Sequence, residues 1–262
     1  MKHRTAFSLV ELSIVLVILG LLTGGILAGR SLIRASELRA VGTEYQRYVT
    51  ATHAFKDKYF ALPGDMPNAV AFWGAQAGGT ANGQDATCAA LTTAATGVAT
   101  CNGNGNGLVN DGTYEMFRYW QHLANAGLIE GQYGGVAGSG GNYHHQLGIN
   151  SPRSKLANAG FGMRTVVSVT TGSAFSWAGH LYGHHFRYGK ETTDNLPYSA
   201  VLKPEEAWNI DTKLDDGSPY FGKIMSFPWG NCTTALANNE TAALYDLDNS
   251  NVVCGFTFSR II

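Results

Sequence analysis

Apolar side chains are distributed very unevenly along this chain. From Phe7 to Gly29 they run almost unbroken, with Glu11 as the one charge, behind a short basic stretch that holds Lys2 and Arg4. As a helix this run spans about 35 Å, enough to cross a bilayer. Beyond it the pattern changes rather than stops. Between Ser31 and Lys58 there is no proline and a single glycine, Gly42, and apolar or aromatic residues recur at Leu38, Val41, Tyr45, Tyr48, Val49 and Phe55. That spacing is helical. Arg34, Glu37, Glu44, Arg47 and Lys56 fall on the opposite face. The pattern predicts one helix over 7–58, about 75 Å long, apolar all round over 7–29 and amphipathic thereafter. Gly20, Gly24, Gly25 and Gly29 punctuate its first half. Glycines there either loosen the helix, at about 1 kcal/mol each, or let a neighbouring helix approach closely.

The remainder, 59–262, reads as a globular head. Pro63-Gly64 predicts a tight turn, and Asp65 a cap for a short helix that has Pro67 in its first turn and ends near Trp73 and Gly74. A Gly/Ala/Thr-rich loop follows over 75–112. Thr113 to Ala126 reads as a helix with Met116, Trp120 and Leu123 on one face and Gly127 at the stop position. Strand-like runs lie at 164–170, 183–188, 222–227 and 252–258, and 204–214 reads as a helix ended by Asp215-Asp216-Gly217. The expected class is α+β: an antiparallel sheet packed on the upper half of the long helix, with extra short helices and loops.

Composition narrows the function. The 262 residues carry a net charge of −1, without the basic surplus of a general nucleic-acid binder. Thirty-three glycines point to a loop-rich middle. Cys88, Cys101, Cys232 and Cys254 fall as two local pairs, which resembles two disulfides closing separate loops; three connectivities are open. No C-x-x-C spacing of a zinc site is present. Disulfides fit an exported chain.

The N-terminus says how it is exported. A cleaved secretory signal has a shorter, uncharged apolar core ending in small-x-small, and a lipoprotein signal needs a cysteine after it. Neither fits. An acidic group inside a span costs about 2.5–3.5 kcal/mol at the bilayer centre, less near an end, and calls for a partner. If the chain is cut after Ala6, Phe7 gains a free cationic amine and Glu11 becomes the fifth residue. Its carboxylate can then pair with the terminal amine of a neighbouring molecule. Lys2 and Arg4 fit a cytoplasmic start, but Arg30, Arg34 and Arg39 follow the span, so charge bias does not set orientation cleanly.

Phe7-Ser8-Leu9-Val10-Glu11-Leu12 and the apolar run behind it resemble the processing signal of type IV prepilins and type II secretion pseudopilins. The resemblance implies a leader over 1–6, cleavage between Ala6 and Phe7 by a prepilin peptidase, and methylation of the Phe7 amine. It also implies subunit alignment through Phe7 and Glu11. The family commonly has Gly before the cut, where this chain has Ala6. Cys232 and Cys254 resemble the disulfide-closed loop near the C-terminus of many pilins, and 60–68, 120–127 and 210–217 resemble stretches of large prepilin-like proteins. The implied partners are the peptidase, copies of the chain or other pilins, the pilus or secretion machinery, and the inner membrane before assembly. The implied setting is a single-pass inner-membrane protein with a periplasmic head, later part of a filament.

Other candidate chemistry is thinner. Asn102, Asn104 and Asn106, with Asp111, have the alternating oxygens of a calcium loop, yet Thr113 stands where an acidic twelfth ligand belongs, and Asn-Gly repeats are good turn formers. Calcium is a weak candidate, and no other cofactor is expected. Asp211, Asp215 and Asp216 read as a helix end and turn. His180, His184 and His185 are interrupted by Gly179 and Gly183, which suits solvated or packing histidines, and His144-His145 has no acidic orienter nearby. No nucleophile elbow, phosphate loop or dinucleotide fingerprint is present, so no enzyme is expected. A structural subunit is the leading reading, with a specialised role favoured by the large head. A head that binds ligands through Trp73, Trp177 and Trp229 is the rival.

Overall fold

The computed structural model describes residues 9–79, 88, 93–109, 115–167, 169, 176–228, 230–235 and 243–262. Its first element is a single helix, α1 (Leu9–Tyr59), unbroken from the apolar run into the amphipathic half. Among the described residues three shorter helices follow: α2 (Ala69–Trp73), α3 (Glu115–Asn125) and α4 (Pro204–Leu214). Four strands, β1 (Ala159–Val166), β2 (Gly183–Lys190), β3 (Ile224–Ser226) and β4 (Phe256–Phe258), form one antiparallel sheet in the order β1-β2-β4-β3. The architecture is α+β.

The sheet meets α1 through an aromatic seam. Register pairs Phe161 with Tyr188, Met163 with Phe186, Phe186 with Phe258, and Ile224 with Phe258, so these side chains share one face. Against it α1 presents Val41, Tyr45, Tyr48, Ala51 and Phe55, all buried. The Tyr48 ring makes edge contacts with Trp120 at 5.2 Å and Phe161 at 5.0 Å, while Tyr45 stacks on Phe258 at 4.5 Å. Such pairs add about 0.5–1.5 kcal/mol each beyond the area they bury. The periodicity of the upper helix thus marks the core-facing stripe, with one exception. Glu44, expected among the solvent-facing residues, is only 6% exposed.

The first strand begins earlier than its β-branched run suggests. Residues 159–163 form its paired centre, although they look like the tail of the glycine-rich loop. Glycine is required there by what covers the reverse face. A Cβ on Gly160 would lie 2.5 Å from the Pro152 oxygen and 2.3 Å from Leu147, and one on Gly162 would lie 2.6 Å from Pro197. Close cover by loops, not turn chemistry, selects these glycines. On the same reverse face Met225 joins Trp177, Tyr182, Tyr220 and Ala243 in a second apolar cluster.

Helix α3 is buried on every side from Glu115 to Leu123, not only along Met116, Trp120 and Leu123. Its second face is covered by the chain around residue 100: Gln121 donates to the Ala99 carbonyl at 3.1 Å and accepts from Thr100 at 2.7 Å. Helix α4 keeps the expected bounds because Pro204 starts it and Glu206 accepts from the Lys203 amide at 2.9 Å. Asp65 does not cap α2. That position is Asn68, without a side-chain bond, and the Val70 amide donates to Asn102 at 2.8 Å instead. Cys88 is bonded to Cys101 and Cys232 to Cys254. Each closure restricts the unfolded chain by about 3 kcal/mol.

Three histidines are part of this core. Burial lowers the pKa of His122 to about 3, of His145 to about 4 and of His185 to about 3. Asp211 works in the other sense, raised to about 7 by burial.

Two expectations follow from this packing. Gly160→Ala should destabilise the head by about 1–3 kcal/mol, read as a lower Tm, whereas Gly20→Ala, with nothing within 4 Å of its added carbon, should leave that Tm unchanged. The histidine contribution to stability is complete above the unfolded pKa near 6.5 and is lost as pH falls toward 4, because the unfolded chain takes up protons that the folded core refuses. Each histidine adds up to about 1.4 kcal/mol per pH unit, against one opposing carboxyl at Asp211 between about pH 4 and 7. Melting from pH 7 to 5 should therefore show a falling Tm; a flat profile would contradict the burial of these rings.

Candidate functional site

The part of the molecule most in need of a function is the lower half of α1. Its large apolar side chains from Leu9 to Ile33 are each half or more exposed, with Leu9 at 85% and Leu27 at 67%. Leaving such side chains in water forfeits about 1.5–3 kcal/mol apiece, so another apolar medium must cover them. The helix is long and apolar enough to cross a membrane. A Cβ added at Gly20, Gly24, Gly25 or Gly29 would meet nothing within 4 Å beyond its chain neighbours and the helix's own backbone, so no packing among the described residues explains these glycines. They fall as two pairs four apart, the spacing that lets helices approach closely in an apolar medium. Glu11 lies in the first turn of α1, inside the apolar run. Ala6 and Phe7 lie outside the described residues.

The head grips α1 immediately above this bare stretch. Arg34 donates to both Glu206 oxygens at 2.7 and 2.6 Å and to the Val201 carbonyl at 3.1 Å, and Glu37 lies 3.5 Å from it. Burial opposes ionisation of Glu206, but the Arg34 bonds and the Lys203 amide outweigh it and hold the carboxyl below its usual range. Ten residues on, Glu44 accepts from the Ser154 hydroxyl at 2.5 Å and the Lys155 amide at 2.9 Å. Ser154 also meets the Tyr188 hydroxyl at 3.0 Å. Glu44 thereby ties α1 to the loop that enters β1. Sequence reasoning missed it because a glutamate at helical spacing opposite an apolar stripe reads as solvated. Its partners are more than a hundred residues away.

The other sequence candidates form separate local structures. Asn102 accepts from Val70, Asn104 from the Asn106 amide at 2.7 Å, and Asn106 from the Leu108 amide at 2.8 Å. These are the bonds of side chains that shape turns. Asp65 holds the same loop from the other side. It accepts from Gly105 at 2.7 Å, Asn106 at 3.1 Å and Gly107 at 2.8 Å. Asp111 lies outside the described residues.

Asp211, Asp215 and Asp216 do converge, with one oxygen of each within 4.8 Å of the others. Asp211 accepts from Tyr245 at 2.7 Å and Gly217 at 3.2 Å, Asp215 from Ile224 at 2.9 Å, and Asp216 from Ser218 at 2.8 Å. They close the end of α4 onto β3. His184 and His185 sit on β2, not on a helix. The first meets Thr165 at 2.8 Å, and the second meets the Gly183 carbonyl at 3.1 Å. His144 lies 3.5 Å from Glu191, a carboxylate neighbour that its loop sequence did not reveal. Trp177 is wholly buried and cannot meet a ligand; Trp73 is partly buried, and Trp229 lies outside the described residues.

Comparison with known families matches residues 1–27 to the prokaryotic N-terminal methylation motif. Neither a curated protein nor a solved structure matches the chain. The matched stretch takes in Ala6, Phe7, Glu11 and the first glycines, and runs straight into the bare helix. The chain therefore carries a prepilin-type processing and methylation signal, the N-terminal signature of type IV pilins and pseudopilins.

Proposed function

We propose that this protein is a specialised structural subunit of a type IV pilus or type II secretion pseudopilus, cut before Phe7 and polymerised through the lower half of α1. The observation that carries the reading is a helix with a methylation motif at its start and an apolar surface that its own head leaves bare from Leu9 to Ile33. Two media can cover that surface in turn. The inner membrane does so before assembly, and the spines of neighbouring subunits do so in the filament. In the second medium the Glu11 carboxylate meets the cationic Phe7 amine of a neighbour, which relieves two charges at once and sets the axial stagger. The glycine pairs let the spines close on each other. The head, tied to the upper half of α1 by Arg34 and Glu44 and so clear of the bare lower half, faces outward into the periplasm or the cell exterior.

A second reading, a head that also captures a ligand, is favoured by the far end of α1. Phe60 is 94% exposed and holds a positive φ of 52°, a costly state for a bulky residue. Phe72, 55% exposed, lies beside Tyr59 at 5.2 Å. Exposed aromatics at the end opposite the spine suit a contact surface.

Mass spectrometry of the mature N-terminus should find a methylated Phe7. Glu11→Val should leave insertion and trimming intact while filament incorporation falls to background on immunoblots of sheared filaments; normal incorporation would defeat the pairing argument. For the second reading, replacing Phe60 and Phe72 together by Ser should abolish binding of filament-bearing cells to surfaces and leave filament number unchanged.

A further inference from the structure

Three arginines after the apolar run, Arg30, Arg34 and Arg39, sit on the side of the span where a positive cluster is not expected. Arg34 is explained by its bonds to Glu206. Arg39 is not, and the structure places it in a groove between α1 and α4. The groove encloses about 520 Å³, and its apolar floor is made by Leu38, Ile210 and Leu214. Arg39, Lys203 and Lys213 stand around it, all exposed and none in an ion pair among the described residues. Two carboxylates are also present. Glu206 is engaged by Arg34 and also feels Lys203, which leaves the groove lining with three cations against two carboxylates, one of them already bonded to Arg34.

The position of the groove along α1 matters as much as its charge. Leu32 and Ile33 are the last strongly exposed apolar pair, at 72% and 62%. At about 1.5 Å per residue, the groove starts at Ala35 about 3 Å above Ile33, and Arg39 follows at about 9 Å. The headgroup layer of a bilayer is about 5–7 Å thick on each side, within reach of the Arg39 and Lys203 side chains. Trp208, 40% exposed on α4, is of a type enriched at that depth.

We propose that this groove holds the headgroup of an anionic phospholipid, with the phosphate among Arg39, Lys203 and Lys213 and the glycerol and ester portion on the apolar floor, while the subunit waits in the membrane. The occupant is a lipid rather than a free anion because the lining includes apolar residues and the groove begins two residues past the exposed apolar Leu32-Ile33 pair. The inference rests on the membrane-held stage of the function proposed above. It accounts for cations on the far side of a span. They dock the head on the bilayer before assembly, and the lipid leaves when neighbouring spines replace it.

The test uses the full-length protein in nanodiscs of phosphatidylcholine with a minor share of phosphatidylglycerol. Native mass spectrometry after the discs are dissolved reads which lipids stay bound. The wild type should retain phosphatidylglycerol about tenfold above its share, less at high salt, and Arg39→Gln/Lys203→Gln/Lys213→Gln should lose the excess. Arg30→Gln, outside the groove, should keep it. Should the triple variant melt early, the single Lys213→Glu reversal must still reduce retention. Equal retention of both lipids, an excess that survives the charge changes, or equally tight binding of soluble glycerol phosphate by the protein in detergent would overturn the proposal. So would cross-links from Lys203 or Lys213 to a second copy with no lipid retained. Failure to enter discs of either composition would overturn the membrane-held stage as well, whereas entry without lipid preference would overturn this inference alone.

Discussion

A long apolar helix that its own subunit cannot cover is the constraint on which the rest of this structure depends. From Leu9 to Ile33 the large apolar side chains of the spine are each half or more exposed. Hydrophobic burial is non-directional, so a head of this size would wrap the spine unless the chain were built otherwise. It is built otherwise. Arg34 and Glu44 fix the head to the upper half through directional, charge-assisted bonds, and the seam of Tyr45, Tyr48 and Phe55 satisfies that half fully. What remains is a surface that needs an apolar medium from outside the subunit.

The head adds a second economy of design. Its sheet uses mostly aromatic residues, with Met163 and Ile224, on the face toward α1, and glycines on the reverse of β1 that let the covering loops approach closely. The ends of its elements are closed by single carboxylates that collect backbone amides: Asp65 on the loop at 105–107, Glu206 at the start of α4, and Asp215 at the start of β3. Two disulfides add covalent ties, Cys88 to Cys101 and Cys232 to Cys254. The same residue types that suggest metal sites in a linear reading here do the work of caps and turns.

Some of this was open to inspection in the residues alone. The single long helix, the switch from all-round to one-sided apolarity near Ser31, α4 with its Pro204 start, and the prepilin-like signal all follow from short-range pattern. The position of β1 did not, because the need for Gly160 and Gly162 comes from Leu147, Pro152 and Pro197 folding back over them. Nor did the burial of α3 on all sides, since its second cover is a loop whose own sequence has no periodicity. Glu44 reads as solvated and Asp65 as the cap of α2 for the same reason, since the partners of each lie far along the chain.

By itself the sequence determined the spine, its lone carboxylate and the medium that it demands, because transfer out of water and helical periodicity are properties of neighbouring residues. Only the tertiary structure decided the strand order β1-β2-β4-β3, the pairing of Cys88 with Cys101 and Cys232 with Cys254, and the groove in which Arg39 meets Lys203 and Lys213. Those depend on positions as far apart in sequence as Arg39 and Lys213 lining one groove. No local preference encodes such meetings; they follow from how one packed core excludes the alternatives.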